Sequence, residues 1–557
     1  MADKAPTAVT RPLPQGAVDH GGGTVTFVLY APGKSSVRLV GSFNGWDREA
    51  DPMEEAEEGL WWTEKQLSSG TYQYRYLVDS GLAICDPYAR AAGRDPESGE
   101  PCSVLIAGQR PYRWQHATWD RPAFKDLIIY ELNIRDFSPE GNFKGVVERF
   151  DYLEDLGITA IELMPVLTAE GGEGWGYDPT DFFAVNSAFG TADELRSLID
   201  TAHSRGIGVV LDIVLAHTSR GHPFAKLYPL EESPWYGPGL GEPNHFGFPS
   251  LDYTKRATQE FARDVITYWL QEFRFDGLRF DYLYGIGAKD GCGIPFLARC
   301  GREADPEAWL IAEHSPERPR LIVESGFDGS WHVIARYALV ALLRQGQLDE
   351  HNWNEFEKVT SYFDPRSTGY DTVWRAVNFL ESHDEERIIH DTRVVGLTEE
   401  EAYRKAALGA TVIMTLPGEP MLLNGQEWGE DTQKTLERNP LHWDKLETDA
   451  GRQLYEHVRA LCRLRKESPA LRSANYSVAA RYSGQKTLVY RRWDDRGNDA
   501  LVAVNFSPRE QPVFIPFPRP GTWREALTGT GITTTGDVTT SLAPSSARVF
   551  IWERQGA

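Results

Sequence analysis

Two buried-type strands with a helical segment between them decide the fold: LIIYELN at 127–133, GVVERFDYLEDLG at 145–157 and ITAIELMPV at 158–166. The apolar residues of the middle segment have helical spacing, and Gly157 ends it. The alternation continues through TADELRSLIDTAHSRG at 191–206 and the further strand candidates GVVLDIVL (208–215), FDGLRFD (275–281), WLIAE (309–313), GFDGS (326–330), AVNFLESH (376–383) and VIMTLPG (412–418). Eight strands separated by helices predict an α/β fold, a (β/α)8 TIM barrel. A doubly wound sheet is the rival, but ELNIRDFSPEGN after the first strand is not a Gly-rich phosphate turn.

Short alternating strands flank the barrel on both sides. TVTFVLYAP (24–32), SSVRLVGSF (35–43) and GTYQYRYLVD (70–79) predict a small β-sandwich, and TLVYRRW (487–493), ALVAVNF (500–506) and ARVFIWE (547–553) predict a second one. We expect a flexible tail over residues 1–22, an N-terminal β-sandwich over 23–110, the catalytic barrel over 120–473 and a C-terminal β-sandwich over 474–557. The irregular, Pro- and aromatic-rich stretch 217–253 is expected to be a functional loop insertion after the third strand.

Composition excludes several classes of function. The 557 residues carry 58 Lys and Arg against 81 Asp and Glu, a net charge of −23, which repels phosphate backbones and anionic lipid. Neither a nucleic-acid partner nor a membrane partner is therefore expected. The five cysteines form no CxxC, so neither a disulfide scaffold nor a cysteine metal site is expected. We expect a cytoplasmic location, or a secreted one if a leader peptide has been removed.

Carboxylates stand at three predicted strand ends. Asp281 ends the fourth strand, Glu313 the fifth, and Asp384 follows the seventh beside His383; Asp212 and His217 end the third. Side chains at the carboxyl ends of barrel strands converge on one mouth. Glycosidic cleavage needs two carboxyl groups, one ionised and one protonated, about 5–5.5 Å apart in a retaining enzyme.

The neighbours of two of these carboxylates suit the two roles. Arg279 shares a strand face with Asp281, and its charge is expected to keep that carboxyl ionised for attack. Glu313 follows the apolar run WLI, where burial favours a protonated acid. A zinc hydrolase would need a cluster such as HExxH, and a serine hydrolase a GxSxG elbow; both motifs are missing from the chain.

These segments resemble glycoside hydrolase family 13, the α-amylase superfamily, over nearly the whole chain. DIVLAHTS (212–219), DGLRFD (276–281), LIAEH (310–314) and FLESHDEE (379–386) are similar to the family's four conserved regions, in order. GWGYDPTDFFAVN (174–186) and MLLNGQEWGE (421–430) resemble its second-strand and eighth-strand loops.

The resemblance implies a role for each site residue. Asp281 would be the nucleophile, Glu313 the acid/base and Asp384 the transition-state stabiliser. In substrate binding, His217 and His383 would bond sugar hydroxyls, Tyr177 would stack on the reacting ring beside Trp175, and Arg279 would support Asp281. The substrate partner implied is an α-glucan polysaccharide or oligosaccharide.

Two departures from the family pattern matter. The Asn that usually precedes the first-region His and binds calcium is Ala216 here, which has no side-chain oxygen; no cofactor is expected, no metal site is assigned, and a structural calcium at this position is disfavoured. The Lys-His pair usual after the nucleophile is replaced by Tyr284 and Gly285, which alters the leaving-group side.

VRLVGSFNGWD (37–47) and GTYQYRYLVD resemble a carbohydrate-binding module of the glycogen-binding type. Sugars stack their CH faces on flat rings, which makes Trp46 and Trp61 the candidates, with core packing as the alternative for both.

The function favoured by the sequence is a retaining α-amylase-type hydrolase that cleaves α-1,4-glucosidic bonds of starch, glycogen or maltooligosaccharides by double displacement. One alternative is a 1,4-α-glucan branching enzyme, supported by the N-terminal module, ELMPV and the run His383-Asp384-Glu385. A weaker alternative is a trehalose-releasing maltooligosyl trehalohydrolase. A silent glucan-binding protein is disfavoured because all three carboxylates are present.

Overall fold

A computed structural model describes residues 14–57, 59–172, 174–242, 244–345 and 355–552. Its centre is a closed barrel of eight parallel strands, each paired with the next in chain order, and the eighth pairs with the first. The strands are Ile129–Leu132, Ala160–Leu163, Gly208–Ile213, Gly277–Phe280, Trp309–Ala312, Gly329–Trp331, Ala376–Phe379 and Glu419–Leu423. The predicted (β/α)8 barrel is confirmed.

The eighth strand begins later than the sequence predicted. Residues 412–415 of VIMTLPG end the helix Glu399–Thr415, and the strand is the next apolar run, Glu419–Leu423. A short apolar run has no period that separates a buried strand from a buried helix. The helix begins at Thr398, whose capping box with Glu401 fixes its start, and Gly418, at φ +111°, makes the turn into the strand.

Helices surround the barrel because each has one apolar face to bury. In Ala192–Ser204, Leu195, Leu198 and Ile199 are buried, while Thr191 and Glu194 cap the first turn reciprocally. The α-helices are Ile134–Phe137, Phe143–Val147, Phe150–Leu156, Ala192–Ser204, Pro223–Leu227, Arg256–Gln271, Leu283–Ile286, Ile294–Ala304, Pro319–Ser325, Val333–Leu343, Phe356–Ser361, Ile388–Val394, Glu399–Thr415 and Asp449–Glu467. No helix in these ranges has the length and apolar character needed to cross a bilayer.

The N-terminal strands form two packed antiparallel sheets. They are Gly16–Asp19, Thr24–Tyr30, Val37–Gly41, Glu54–Glu55, Leu60–Gln66, Gly70–Val78, Leu82–Ile84, Ala92–Arg94 and Pro101–Ala107. Gly16–Asp19 lies in the stretch predicted as a tail, yet it pairs with Thr24–Tyr30. Its sequence is too short to signal a strand, and the pairing comes from tertiary context. Residues 1–13 of the predicted tail lie outside the described residues.

The two candidate tryptophans of this sandwich differ. Trp61 is 6% exposed, and its indole N–H donates to the carbonyl of Ala31, so the expectation that it stacks on sugar is wrong: it belongs to the sandwich core. Trp46 is half-buried, with the guanidinium of Arg75 5.4 Å from its ring centroid.

The C-terminal strands also form antiparallel sheets, one of six strands and one of two. They are Asn475–Tyr482, Thr487–Trp493, Asp499–Asn505, Gln511–Ile515, Gly521–Glu525, Gly531–Thr534, Val538–Leu542 and Ser546–Trp552. Short strands also occur in the barrel loops, at Leu167–Ala169 with Pro179–Val185 and at Ala288–Lys289 with Cys292–Gly293.

The loop over residues 217–253 is anchored to the barrel and to the N-terminal sandwich. Trp235 is buried, stacks on Phe224 at 3.7 Å and meets the ring of Tyr30 edge-on at 5.9 Å. The buried Tyr236 bonds Thr218. These two loop aromatics therefore pack the structure and do not line the cleft.

The fully buried carboxylate of Asp276 fixes the end of the barrel opposite the mouth. It accepts hydrogen bonds from the backbone N–H of Val209 and from Nε2 of His203, both at 2.8 Å, and from Nε of Arg121 at 3.1 Å. This buried network joins the start of the third strand to the start of the fourth, and both strands carry site residues at their other ends.

We predict that Asp276→Ala lowers the free energy of unfolding by about 3–5 kcal/mol, because it leaves buried donors without an acceptor. Urea denaturation followed by circular dichroism measures the loss. The control is Asp151→Ala, which removes an exposed partner of Arg205 and is expected to cost less than about 1 kcal/mol. Equal effects of the two substitutions would contradict this account.

Candidate active site

The acids and bases predicted at the strand ends meet at one mouth of the barrel. Asp212 and Arg279 lie within the third and fourth strands, Asp281 follows the fourth directly, and Glu313 follows the fifth. Backbone pairing continues beyond the strands, since the N–H of Glu313 donates to the carbonyl of Phe280. The strand ends thus set the spacing of the carboxylates.

Arg279 is the centre of this cluster. Its fully buried guanidinium donates from Nη1 to both carboxylate oxygens of Asp212, at 2.8 and 2.9 Å, and to Oδ1 of Asp281 at 2.9 Å. Its Nη2 lies 3.5 Å from Oε2 of Glu313. The ring of Trp331 lies 4.3 Å from the guanidinium carbon. Three carboxylates therefore share one cation.

The charge balance of the cluster favours protonation. Burial raises the pKa of Asp281 well above its usual range; Arg279 opposes this shift, and Glu313 and Asp212 reinforce it. Burial likewise raises the pKa of Asp212 against the opposing charge of Arg279. This direction runs against the expectation that Arg279 keeps Asp281 ionised, because burial and the neighbouring acids oppose the one guanidinium that they share.

A second group forms around His383. Its Nδ1 lies 2.5 Å from Oε1 of Glu131, and its Nε2 lies 3.3 Å from Oδ1 of Asp384. Burial alone would lower the pKa of His383, but the charges of Asp384 and Glu131 outweigh it and raise that pKa to about 9. The imidazole is thus a cation at neutral pH, whose Nδ1 donates to Glu131 and whose Nε2 is ion-paired with Asp384.

Aromatic side chains surround this histidine. The ring of Tyr177 stacks on His383 at 5.0 Å, and Trp175 meets it edge-on at 5.4 Å. The Tyr177 hydroxyl donates to Oδ2 of Asp212 at 2.6 Å, which joins the two groups. The predicted site residues therefore lie at one site. They are Asp281, Glu313, Asp384, Tyr177, Arg279, His383 and Trp175, together with His217, whose contacts follow.

His217 is held through the backbone of Tyr177. Its Nε2 lies 2.8 Å from the Tyr177 carbonyl, and burial lowers its pKa, so the neutral ring donates from Nε2. Its buried Nδ1 accepts no hydrogen bond from the described residues. This atom is the one left to accept a bond from a ligand.

Sequence reasoning missed two inward-facing acids on the first two strands. Glu131 and Glu162 are register partners on adjacent strands, and both are about 1% exposed. Burial raises the pKa of Glu162 well above its usual range, and neither of its carboxylate oxygens has a hydrogen-bond partner in the described ranges. The sequence signal for these two site residues was a single Glu in each of two otherwise apolar strands, LIIYELN and ITAIELMPV.

The region of the usual family calcium site offers no fit for the ion. Ala216 has no side-chain oxygen, and its carbonyl accepts the N–H of Leu251. The described residues hold no cluster of three or more His, Cys, Asp or Glu side chains able to bind a metal. That the chain needs no calcium stays a prediction.

We predict that Glu131→Gln lowers the pKa of His383 from about 9 toward the ordinary imidazole value, because it removes one of two neighbouring negative charges. In the wild type, His383 is fully protonated below the ordinary imidazole pKa and loses its proton as the pH rises through about 9. In the variant, we expect this deprotonation to occur at lower pH. A ¹⁵N-histidine NMR titration, with the His383 signal assigned through His383→Asn, measures the shift. An unchanged titration would show that Glu131 does not hold the proton.

Three family models match the chain. "Alpha amylase, catalytic domain" matches residues 110–235, "Carbohydrate-binding module 48 (Isoamylase N-terminal domain)" matches 14–89, and "Domain of unknown function (DUF3459)" matches 477–549. The first match contains the first three barrel strands, and the second contains the strands of the N-terminal sandwich up to Leu82–Ile84.

Curated relatives match over most of the chain. A malto-oligosyltrehalose trehalohydrolase of Rhizobium sp. (strain M-11) is 27% identical, over 95% of this chain and 98% of that protein. A 1,4-alpha-glucan branching enzyme GlgB of Leifsonia xyli subsp. xyli is 28% identical, over 94% of this chain and 77% of that protein.

Solved structures share the fold. Pullulanase type I from Bacillus subtilis str. 168, complexed with maltose, superposes with a TM-score of 0.82 at 21% identity, over 97% of this chain and 85% of that one. A putative alpha amylase from Salmonella typhimurium gives 0.77 at 23% identity, over 97% and 99%. The barrel with its two flanking β domains agrees with these matches: the chain carries an α-amylase-type catalytic domain, of glycoside hydrolase family 13, and an N-terminal carbohydrate-binding module of family 48, and the relatives it resembles are named as a trehalohydrolase and a branching enzyme.

Proposed function

We propose that this chain is a retaining α-glucan hydrolase of the amylase type that cleaves α-1,4-glucosidic bonds of starch, glycogen or maltooligosaccharides. The observation that carries the proposal is the pairing of Asp281 and Glu313 against the Arg279 guanidinium. The two carboxylates come from neighbouring strands, and their side chains are 13% and 16% exposed at the mouth, where a sugar can reach them.

In each of these two carboxylates, one oxygen accepts a hydrogen bond from the protein, and the other oxygen is left for the reaction. Arg279 holds Oδ1 of Asp281, which leaves Oδ2 to bond the anomeric carbon. The backbone N–H of Tyr282 donates to Oε2 of Glu313 at 2.6 Å, which leaves Oε1 to carry the proton for the departing oxygen. In the second step Glu313 takes a proton from water, and that water releases the sugar from Asp281.

The proton balance of the cluster suits this mechanism. Retaining cleavage needs one protonated and one ionised carboxyl group. Burial raises the pKa of Asp281, and the charge of Glu313 reinforces that shift, so the proton on Asp281 is coupled to the charge on Glu313. With the proton on Glu313 and none on Asp281, the nucleophile is ionised and the general acid is neutral and able to donate.

The His383 group would hold the reacting sugar. Asp384 is half exposed, so its carboxylate is available to accept bonds from ring hydroxyls. The His383 cation would donate to a hydroxyl beside it. Because His383 covers one face of the Tyr177 ring, a sugar would have to stack on the opposite face.

Trehalose release from a capped maltooligosaccharide is the second candidate. It is favoured by the length of the match, since the trehalohydrolase aligns over 98% of its own length and the branching enzyme over 77%. Branching by transfer to a 6-hydroxyl shares the same first step, and only the acceptor differs.

We predict that Asp281→Ala and Asp281→Asn abolish turnover of maltoheptaose while the circular dichroism spectrum stays native. The Asn variant is the matched control for geometry, because its side-chain oxygen still accepts from Arg279 but cannot form the ester. Activity like that of the wild type in either variant would remove Asp281 from the mechanism.

We predict that Glu313→Gln slows maltoheptaose cleavage by about 10²–10⁴-fold but slows the release of fluoride from α-maltosyl fluoride far less. Fluoride departs without a proton, so only the natural leaving group needs the acid. Stopped-flow and steady-state rates on the two substrates measure the contrast. Equal losses on both substrates would assign Glu313 another role.

We predict that amylose gives short linear maltooligosaccharides with a matching gain in reducing ends. Chromatography of the products and a reducing-end assay separate the candidates. New α-1,6 linkages without a gain in reducing ends would instead mean branching, and trehalose from a trehalose-capped chain would mean the second candidate.

A further inference from the structure

Phe246 is an exposed aromatic side chain at the rim of the site. It lies in the loop over residues 217–253 and is 64% exposed, so it is not a core residue. Its ring still has two neighbours in the site: Tyr282, edge-on at 5.5 Å, and His217, at 6.5 Å. Ligand sites are lined largely by apolar and aromatic side chains, and Phe246 is an aromatic side chain beside this one.

Phe246 begins a row of rings that borders Glu313. Tyr282 meets Tyr284 edge-on at 6.5 Å, and Tyr284 meets His314 at 5.5 Å. The backbone N–H of Tyr282 donates to the Glu313 carboxylate, and His314 directly follows Glu313 in the chain. The row therefore runs along the side of the group that would protonate the leaving oxygen.

Among the described contacts, only the Phe246 end of this row approaches the residues that would hold the reacting sugar, through its contact with His217. Asp384, His383 and Tyr177 contact one another, and in the part of the chain that is described none of the four rings of the row stacks on His383 or Tyr177. A glucan chain that crosses the site from the His383 group past Glu313 would next meet this row.

The loop tip is held in place before any ligand binds. The N–H of Phe246 donates to the side chain of Asn244 at 2.8 Å, and Arg220 donates to the carbonyl of Gly247 at 2.7 Å. Phe248 stacks on His217 at 4.8 Å. Fixing the tip in advance lowers the entropy lost on binding.

We infer that Phe246, with Tyr282 behind it, is the stacking platform for the glucosyl unit on the leaving-group side of the scissile bond. The inference rests on the proposed function, because Glu313 defines that side. A flat ring presents its face to the CH face of glucose, and the Tyr282 contact keeps the ring in place. The preferred substrate is thus one whose leaving group is a glucosyl unit able to stack on Phe246.

The test compares Phe246→Ala with the wild-type enzyme on two substrates. Maltoheptaose places sugars on the leaving-group side, whereas α-maltosyl fluoride places only fluoride there. We expect the variant to lose about five- to tenfold in kcat/KM on maltoheptaose, mainly through KM, and to stay within about twofold on α-maltosyl fluoride. Phe246→Trp, which keeps a flat ring, is expected to stay within about twofold on both.

The matched control is Phe514→Ala, which removes another exposed aromatic ring, from the C-terminal strand Gln511–Ile515. It is expected to change neither rate. A Phe246→Ala enzyme that is unchanged on maltoheptaose, or that loses equally on both substrates, would overturn the platform while leaving the proposed function standing. A wild-type enzyme that turns over neither substrate would instead refute the proposed function, and the platform with it.

Discussion

The buried guanidinium of Arg279 is the interaction on which the rest of the site depends. A charge without water is costly unless it is paired, and here Asp212, Asp281 and Glu313 surround it above the ring of Trp331. These partners come from the third, fourth and fifth strands, so the same contacts order the barrel mouth and set the spacing of its acids. The buried Arg279 in the fourth strand therefore fixes the positions of acids that stand at the strand ends.

At the barrel mouth, acidic side chains outnumber cationic ones, and this excess of negative charge determines which ligands the site can accept. Arg279 and the His383 cation face Asp212, Asp281, Glu313, Asp384 and Glu131. Such a site retains protons on buried acids and repels anions, which suits an uncharged sugar. Negative charge also stabilises the positive charge that a sugar ring develops as its glycosidic bond breaks.

Much of this arrangement was predictable from the sequence, because the carboxyl ends of parallel strands converge whatever the side chains around them. The strand-end position of Asp281 and Glu313 was enough to bring them together. The buried pair Glu131 and Glu162 was missed, because a single acid in an apolar strand does not predict which side chains of other strands it will contact. The eighth strand was misplaced, and the choice for Trp61 between sugar stacking and core packing stayed open, for a related reason: local patterns do not report which packing partner a residue will find.

The central claim is that Asp281 forms a covalent bond to the sugar. Incubation with a 5-fluoro analogue of α-maltosyl fluoride, whose slow second step lets the ester accumulate, followed by proteolysis and tandem mass spectrometry, tests it directly. The account predicts one added glycosyl group on the peptide that contains DGLRFD, located at Asp281. A label on another carboxylate, or turnover that proceeds without any covalent adduct and inverts the anomeric centre, would contradict it.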